Sequence, residues 1–210
     1  MIARSRIALV SATVLYMSMS LDGFVAGPNE GPDNGLGDGG DRLHEWVLTG
    51  ADGGEKGVPA IVRDGVNGQI AREFMSTGAV VAGRRTFEWA GGWGGDHHDG
   101  VPIFVYSRQA PGIDIEAWPL VTYVSDVAAA MTRAREAADG KNVLVHGAAT
   151  AQLALAAGAL EELELHVVPV LLGAGRRLFG DLGAPPVELT RTRVLEGEGG
   201  VTHLHYRVER

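Results

Sequence analysis

Three short segments carry groups suited to holding phosphate, and each follows a run of apolar residues. After Ala79-Val80-Val81-Ala82 comes Gly83-Arg84-Arg85-Thr86-Phe87. Glycine lets the backbone turn closely there, and Arg84, Arg85 and Thr86 open a helix. A helix start presents unpaired N–H groups and the positive end of its dipole, so two guanidinium groups beside it make an anion site. After the run 101–106 come Ser107 and Arg108, a hydroxyl and a guanidinium suited to a phosphate monoester. After the run 142–146 comes Gly147-Ala148-Ala149-Thr150, where small residues at a second helix start leave the backbone open to a pyrophosphate. Singly, such an arginine is more often a solvated surface residue. At the carboxyl ends of strands in one sheet, where α/β proteins bind ligands, the three together describe a dinucleotide with an extra phosphate. Arginines in that place suit NADP, whereas NAD sites set an acid near the ribose.

The elements that must position these segments follow from apolar patterning. Residues 14–20 form a β-like run ended by the turn signal Leu21-Asp22-Gly23. Residues 26–40, rich in Gly, Pro, Asn and Asp, read as a loop, and 50–59 as another. Asp41 is placed to cap a short helix through Leu43, Glu45, Trp46 and Val47. Val66, Ile70, Phe74 and Met75 give 66–76 a helical period. A strand at 120–124 leads into an alanine-rich helix capped by Ser125 or Asp126, running through Ala138 and ended by Asp139-Gly140; the helix opened after Gly147 ends at Gly158. An apolar strand at 163–170 precedes a terminal antiparallel pair at 187–195 and 201–208. Alternating strands and helices followed by consecutive strands predict an α/β fold: a mostly parallel central sheet flanked by helices, with an antiparallel C-terminal edge.

Composition removes whole classes of chemistry. The chain has no cysteine, which excludes disulfides, thiolate zinc sites, iron–sulfur clusters and cysteine nucleophiles. A net charge of −8 gains nothing from a phosphate backbone, so nucleic acid is not an expected partner. The run 7–16 after Arg4 and Arg6 superficially resembles a short signal peptide, but its apolar character continues into 17–20 and reads better as a core strand. No stretch approaches the roughly 18 apolar residues of a membrane span, and a cytoplasmic protein is expected. Residues 1–12 are taken as an N-terminal extension and 13–210 as one domain. The 31 glycines cluster in 23–57 and 91–100, as in long loops around a site or in mobile surface. His97-His98, beside Asp96 and Asp99, sits in such a loop, where adjacent side chains converge poorly on an ion, so no metal is expected.

The same segments carry a resemblance. Tyr16-Met-Ser-Met-Ser-Leu-Asp-Gly-Phe-Val-Ala-Gly27, Val80-Val-Ala-Gly-Arg-Arg-Thr-Phe87, Val105-Tyr-Ser-Arg108, Val143-Leu-Val-His-Gly147 and Leu160-Glu-Glu-Leu-Glu-Leu-His-Val-Val-Pro-Val-Leu-Leu-Gly-Ala-Gly175 occur in the order found in the dihydrofolate-reductase-like superfamily. From about residue 14 onward the chain resembles the branch shared with the reductase domain of riboflavin biosynthesis proteins. The resemblance implies an NADPH-dependent oxidoreductase and a homodimer formed through the late strands. It implies that Val25 and Ala26 offer backbone groups to the nicotinamide carboxamide, that Arg84, Arg85 and Thr86 meet phosphates, that Ser107 and Arg108 hold the 2′-phosphate, and that Gly147, Ala148, Ala149 and Thr150 hold the pyrophosphate. The branch usually has two glycines where this chain has Gly147-Ala148.

Hydride transfer needs an acceptor held against the nicotinamide and often a proton donor. Asp22 is one candidate donor, with a turn residue before Gly23 as the plain alternative. Glu45 and Asp41 lie where folate reductases carry their acid, or serve as surface and capping groups. His166 matches a position that faces the substrate pocket in the family; it donates a proton or bonds a heterocycle, or is a core histidine bonded to backbone. Trp46 and Trp93 wall a flat ring system or simply pack. Segment 28–60 lacks the proline-tryptophan loop and clear helical acid of folate reductases, and a cysteine-free chain cannot make the zinc motif of the deaminase that accompanies bifunctional riboflavin proteins. Arg176 and Arg177 offer a basic group for a substrate phosphate, or are solvated. The expected activity is hydride transfer to a small heterocyclic or carbonyl-like substrate. The alternatives are a non-catalytic NADPH-binding module or sensor of the same fold, and a structural subunit.

Overall fold

The computed structural model describes residues 11–49, 60–180, 182 and 186–209. Residues 1–10 of the expected extension and the predicted loop 50–59 lie outside the described residues. In chain order the elements are β1 (Thr13–Ser20), β2 (Phe24–Ala26), β3 (Leu48–Thr49), β4 (Ala60–Ile61), α1 (Gly65–Met75), β5 (Ala79–Gly83), α2 (Arg84–Trp89), β6 (Ile103–Tyr106), β7 (Val121–Val124), α3 (Val127–Ala137), β8 (Val143–His146), α4 (Ala148–Ala156), β9 (Glu162–Val168), β10 (Arg176–Arg177), β11 (Leu189–Glu196) and β12 (Thr202–Val208). Strands β9-β1-β8-β5-β6-β7 run parallel in that spatial order, and β12 and β11 extend the β9 side antiparallel. The expected parallel sheet with an antiparallel C-terminal edge is the observed fold.

Strand alternation sends Val14 and Tyr16 to one face of the sheet and Leu15, Met17 and Met19 to the other. Both faces are covered, which is why residues 14–17 read as one apolar run. On one face α3 and α4 bury Ala130, Met131, Ala134, Ala151 and Ala154 against Leu15, Val81, Val143 and Val145. Asp126 caps α3 by accepting the Ala129 N–H at 2.7 Å. On the opposite face Phe87 of α2 packs with Tyr16, Val80, Ala82 and Leu144, while Ile70 and Ala71 of α1 join Leu43, Trp46, Val168 and Val201.

The segment after Asp41 departs from expectation. It is a 3₁₀ turn over Gly40–Leu43, entered from Gly39, and Asp41 lies inside the turn without capping it. The N–H groups of Val47 and Leu48 both return to the His44 carbonyl at 3.0 and 2.8 Å. Tight turning brings Leu43, Trp46 and Val47 into one cluster, which a single turn of α-helix followed by solvent would not do. The ribbon of β2 with β10, and that of β3 with β4, carry no sequence signal, because two or three residues show no period.

A charged cluster ties α1 to the antiparallel edge. Arg193 donates to both Glu73 oxygens at 2.9 and 2.6 Å and to Glu164 Oε2 at 3.1 Å. His205 bridges Glu162 and Glu164 at 3.1 Å each. Glu164 is 1% exposed, and burial pushes its carboxyl up despite Arg193 and His205. Arg193→Met is therefore expected to cost about 3 kcal/mol, because it strands a buried carboxylate. Adding Glu164→Leu should recover part of the loss, and urea unfolding of both variants would measure it. Equal destabilisation by the single and double variants would contradict this account.

Candidate functional site

Beyond Gly83 and Gly147, the ends of neighbouring strands β5 and β8, the chain turns into α2 and α4. Gly147 has φ +96°, and a Cβ there would stand 2.5 Å from Thr86 Oγ1; a Cβ at Gly83 would stand 2.8 Å from Thr150 Oγ1. Two side-chain-free positions thus let the helix starts close around two threonine hydroxyls. The Thr150 hydroxyl is buried and has no hydrogen-bond partner among the described residues. The first helical bond of α4 runs from Ala151 N–H to Gly147 carbonyl at 3.0 Å, so the N–H groups of Ala148, Ala149 and Thr150 have no helical acceptor.

These groups form one end of a cavity of about 570 Å³, a size suited to small ligands. It lies on the α1–α2 face, over the carboxyl ends of β1, β8 and β5. Its lining joins Val25, Ala26, Gly83, Arg84, Arg85, Thr86, Gly147, Ala148, Ala149 and Thr150 with Trp46, Trp93 and His166. Arg84 is held by Glu88 at 2.8 Å, and Glu88 is itself fixed by Gly112 N–H and the Tyr123 hydroxyl. Arg85 is exposed and lies 5.6 Å over the Trp89 ring.

Four expected site residues do not line the cavity. Asp22 accepts from Ser20 Oγ at 2.6 Å, Leu172 N–H at 3.1 Å and Gly173 N–H at 2.7 Å. The Ser20 bond leads in holding its carboxyl below the ordinary range, and the geometry is that of a clamp between two loops. Glu45 is exposed and paired with Arg42. Ser107 closes on its neighbour, donating to Gln109 O at 2.8 Å and accepting from Gln109 N–H at 3.0 Å, while Arg108 is exposed. Of the two basic residues considered for a substrate phosphate, Arg176 lines the cavity paired with Glu30 at 2.6 Å. Arg177 lies 4.4 Å over Phe24 and donates to the Asp22 carbonyl.

The remainder of the lining is aromatic and neutral. His44, His97 and His146 join His166 there. Burial holds all four imidazoles uncharged, pushing His146 down to about 4 and His97 to about 2, with His44 lowered and His166 lowered well below its ordinary value. Trp46 donates through Nε1 to Ser18 Oγ at 2.8 Å, which sets its ring 4.4 Å from that of His166. Sequence reasoning passed over His44 and His146 as lining residues. For His146 a signal existed: it is the last residue of a strand whose end was already a candidate site. Among the described residues no cluster has the ligands for a metal ion, and no helix is long and apolar enough to cross a membrane.

The sequence pattern of the RibD C-terminal domain family matches residues 98–202, half of the 210-residue chain. The chain belongs to this family. Its fold is similar to that of a riboflavin biosynthesis protein from Shewanella sp. PV-4, with 20% identity, TM-score 0.69, and 95% of this chain and 99% of that one covered. A pyrimidine reductase-like protein from Corynebacterium diphtheriae shares 14% identity at TM-score 0.55, covering 95% and 92%. RibD from Acinetobacter baumannii shares 15% at TM-score 0.57, covering 96% of this chain and 58% of that one. No curated protein matches the chain in sequence. As a RibD C-terminal domain, the chain carries the family's matched region from the loop before β6 to the start of β12.

Proposed function

We propose that this RibD-type domain is an NADPH-dependent reductase of a small, flat heterocyclic or carbonyl-like molecule. The observation that carries the proposal is the union, in one cavity, of a glycine-lined anion cradle with a neutral aromatic chamber. The cradle fits a dinucleotide: the unpartnered Thr150 hydroxyl and the free N–H groups of α4 need acceptors, and phosphate oxygens are acceptors. Bound NADPH would supply the hydride. Gly147, Ala148, Ala149 and Thr150 would hold its pyrophosphate with Arg84, Arg85 and Thr86 beside them, Val25 and Ala26 would meet the carboxamide, and Ser107 and Arg108 would turn to the 2′-phosphate. Trp46 and Trp93 would flank the acceptor ring and keep water out.

The test is oxidation of NADPH in the presence of pterins, flavin precursors and quinones, followed by absorbance. Tight binding without turnover on any of them would favour the binding module instead. One observation supports that second reading: among the described residues the carboxylate in the lining is Glu30, and it is committed to Arg176. Cofactor choice gives a sharper expectation. Arg108→Ala should weaken NADPH about tenfold or more and leave NADH nearly unchanged, since one charge-assisted phosphate contact is worth roughly 1.5–3 kcal/mol. An unchanged NADPH/NADH ratio in fluorescence titrations would remove Arg108 from the 2′-phosphate site.

A further inference from the structure

His166 sits in the cavity wall at the end of a buried hydrogen-bonded chain that fixes where its proton lies. The chain starts at Asn67 on α1. The Asn67 amide nitrogen donates to the carbonyls of Trp46 and Glu198, at 3.1 Å each. Two carbonyl acceptors require the NH₂ group there, so the amide oxygen must face the other way. That oxygen lies 3.0 Å from His203 Nε2. A carbonyl oxygen only accepts, hence His203 carries its proton on Nε2. His203 is fully buried, and burial together with the nearby Arg193 charge pushes it down to about 4, leaving one ring proton at neutral pH. Its Nδ1 is then a bare lone pair. His166 Nδ1 lies 2.9 Å from it and must donate. His166, also neutral, has its single proton used in that bond.

We infer that Nε2 of His166 is a fixed hydrogen-bond acceptor in the cavity wall, and that the molecule handled there is an uncharged planar ring with an N–H or O–H donor to meet it. The first half stands on the chain of bonds and on the buried, uncharged state of the two imidazoles; the second rests on the reductase reading. Among the described residues His166 has a hydrogen-bond partner through Nδ1 and none through Nε2. Trp46, 4.4 Å from the imidazole, and Tyr16, 6.5 Å from it, surround it with aromatic rings that a planar ligand can pack against. Of the cavity's arginines, Arg84 and Arg176 are already paired with Glu88 and Glu30, and Arg85 is exposed over Trp89, so an ionised group beside His166 would lose its hydration without a buried counter-charge. Asn67 and His203 lie behind the cavity wall and do not line it; they are positioning residues. Room for their bond depends on Gly197, where a Cβ would stand 2.1 Å from Asn67 Oδ1 and 2.6 Å from His203 Nε2.

Long-range proton–nitrogen correlation spectra of the ¹⁵N-histidine-labelled wild-type protein, without cofactor at neutral pH, read the tautomers directly. The expected result is His166 as the Nδ1–H form and His203 as the Nε2–H form. His166 as the Nε2–H form or as an imidazolium would overturn the first half, whatever the fate of the reductase reading. Quinazolin-4-one and its N3-methyl derivative, one with a lactam N–H and one without, then probe the second half by quenching of tryptophan fluorescence in the NADPH-loaded protein. The N–H compound should bind at least about tenfold more tightly, since a donor-less analogue leaves a buried acceptor unpaired, and His166→Leu should erase the difference. Equal affinities, or binding of neither, would reject the donor requirement. Failure of NADPH turnover with the N–H preference intact would count against the reductase and not against the acceptor.

Discussion

Gly147→Val is expected to abolish NADPH binding, raising Kd by about a hundredfold or more, while leaving the protein folded. Two effects combine. A β-branched residue at φ +96° is strained by about 1–3 kcal/mol, and its Cβ would fall 2.5 Å from Thr86 Oγ1, within the cradle. To make room, Thr86 must move at the start of α2, which disturbs the groups proposed to hold the pyrophosphate. Gly140→Ala separates strain from blockage. Gly140 also has a positive φ, +79°, yet a Cβ there meets nothing within 4 Å. That variant should lose stability without losing affinity. If Gly147→Val bound NADPH as the wild type does, the cradle would have been assigned to the wrong ligand.

The second large effect is acid lability that begins near pH 6.5. Burial lowers His44, His97, His98, His146, His166 and His203 from an unfolded value of 6.5, with His146 and His203 near 4. As pH falls through 6.5 the unfolded chain takes up protons that the folded protein refuses, so folding stability must fall. The loss continues until the folded-state values are reached, about pH 4 for His146 and His203, and amounts to up to about 3 kcal/mol for each of these two. His205 works in the opposite sense, because its bond to Glu162 raises it; its contribution is fully present below 6.5 and fades as pH rises through its folded value. One raised histidine offsets part of what six lowered ones remove. The urea midpoint should therefore drop steeply between pH 6.5 and 5, before the carboxylates lowered by their partners, such as Asp22, Glu73 and Glu162, begin to protonate. A midpoint that stays level from pH 7 to 5 would show that these imidazoles are not held neutral by the fold.

Much of the frame was legible because it rests on local signals. The apolar run 79–82 and the arginines after it mark a strand end from sequence alone, as do Gly147 and the alanines beyond it. The structure puts both in one cavity because β5 and β8 are neighbours. Ser107-Arg108 carry a signal of the same kind, yet β6 lies one strand further out: its last residue, Tyr106, reaches the lining and the two residues after it do not. Asp22 shows the limit of residue type as a guide. An acid at a strand end reads as chemistry, but its partners, Leu172 and Gly173, are 150 residues away in the chain and no pattern announces them. The same holds for Asn67 and His203, which come together across α1 and β12. A tautomer set by three side chains from three elements has no spacing to detect.

That chain of bonds also makes the C-terminal hairpin a reagent of the cavity. His203 reaches His166 only because β12 pairs with β9 in the register that sets the two opposite each other. A slip of one residue would turn His203 to the other face of the sheet and free the proton of His166 to move between its nitrogens. Every residue of the lining would stay in place, and the cavity would keep its shape while exchanging an acceptor for a donor. A clip or frameshift within residues 189–208 would then present, in a binding assay, as a change of ligand preference, the signature ordinarily taken for a lesion in the pocket itself.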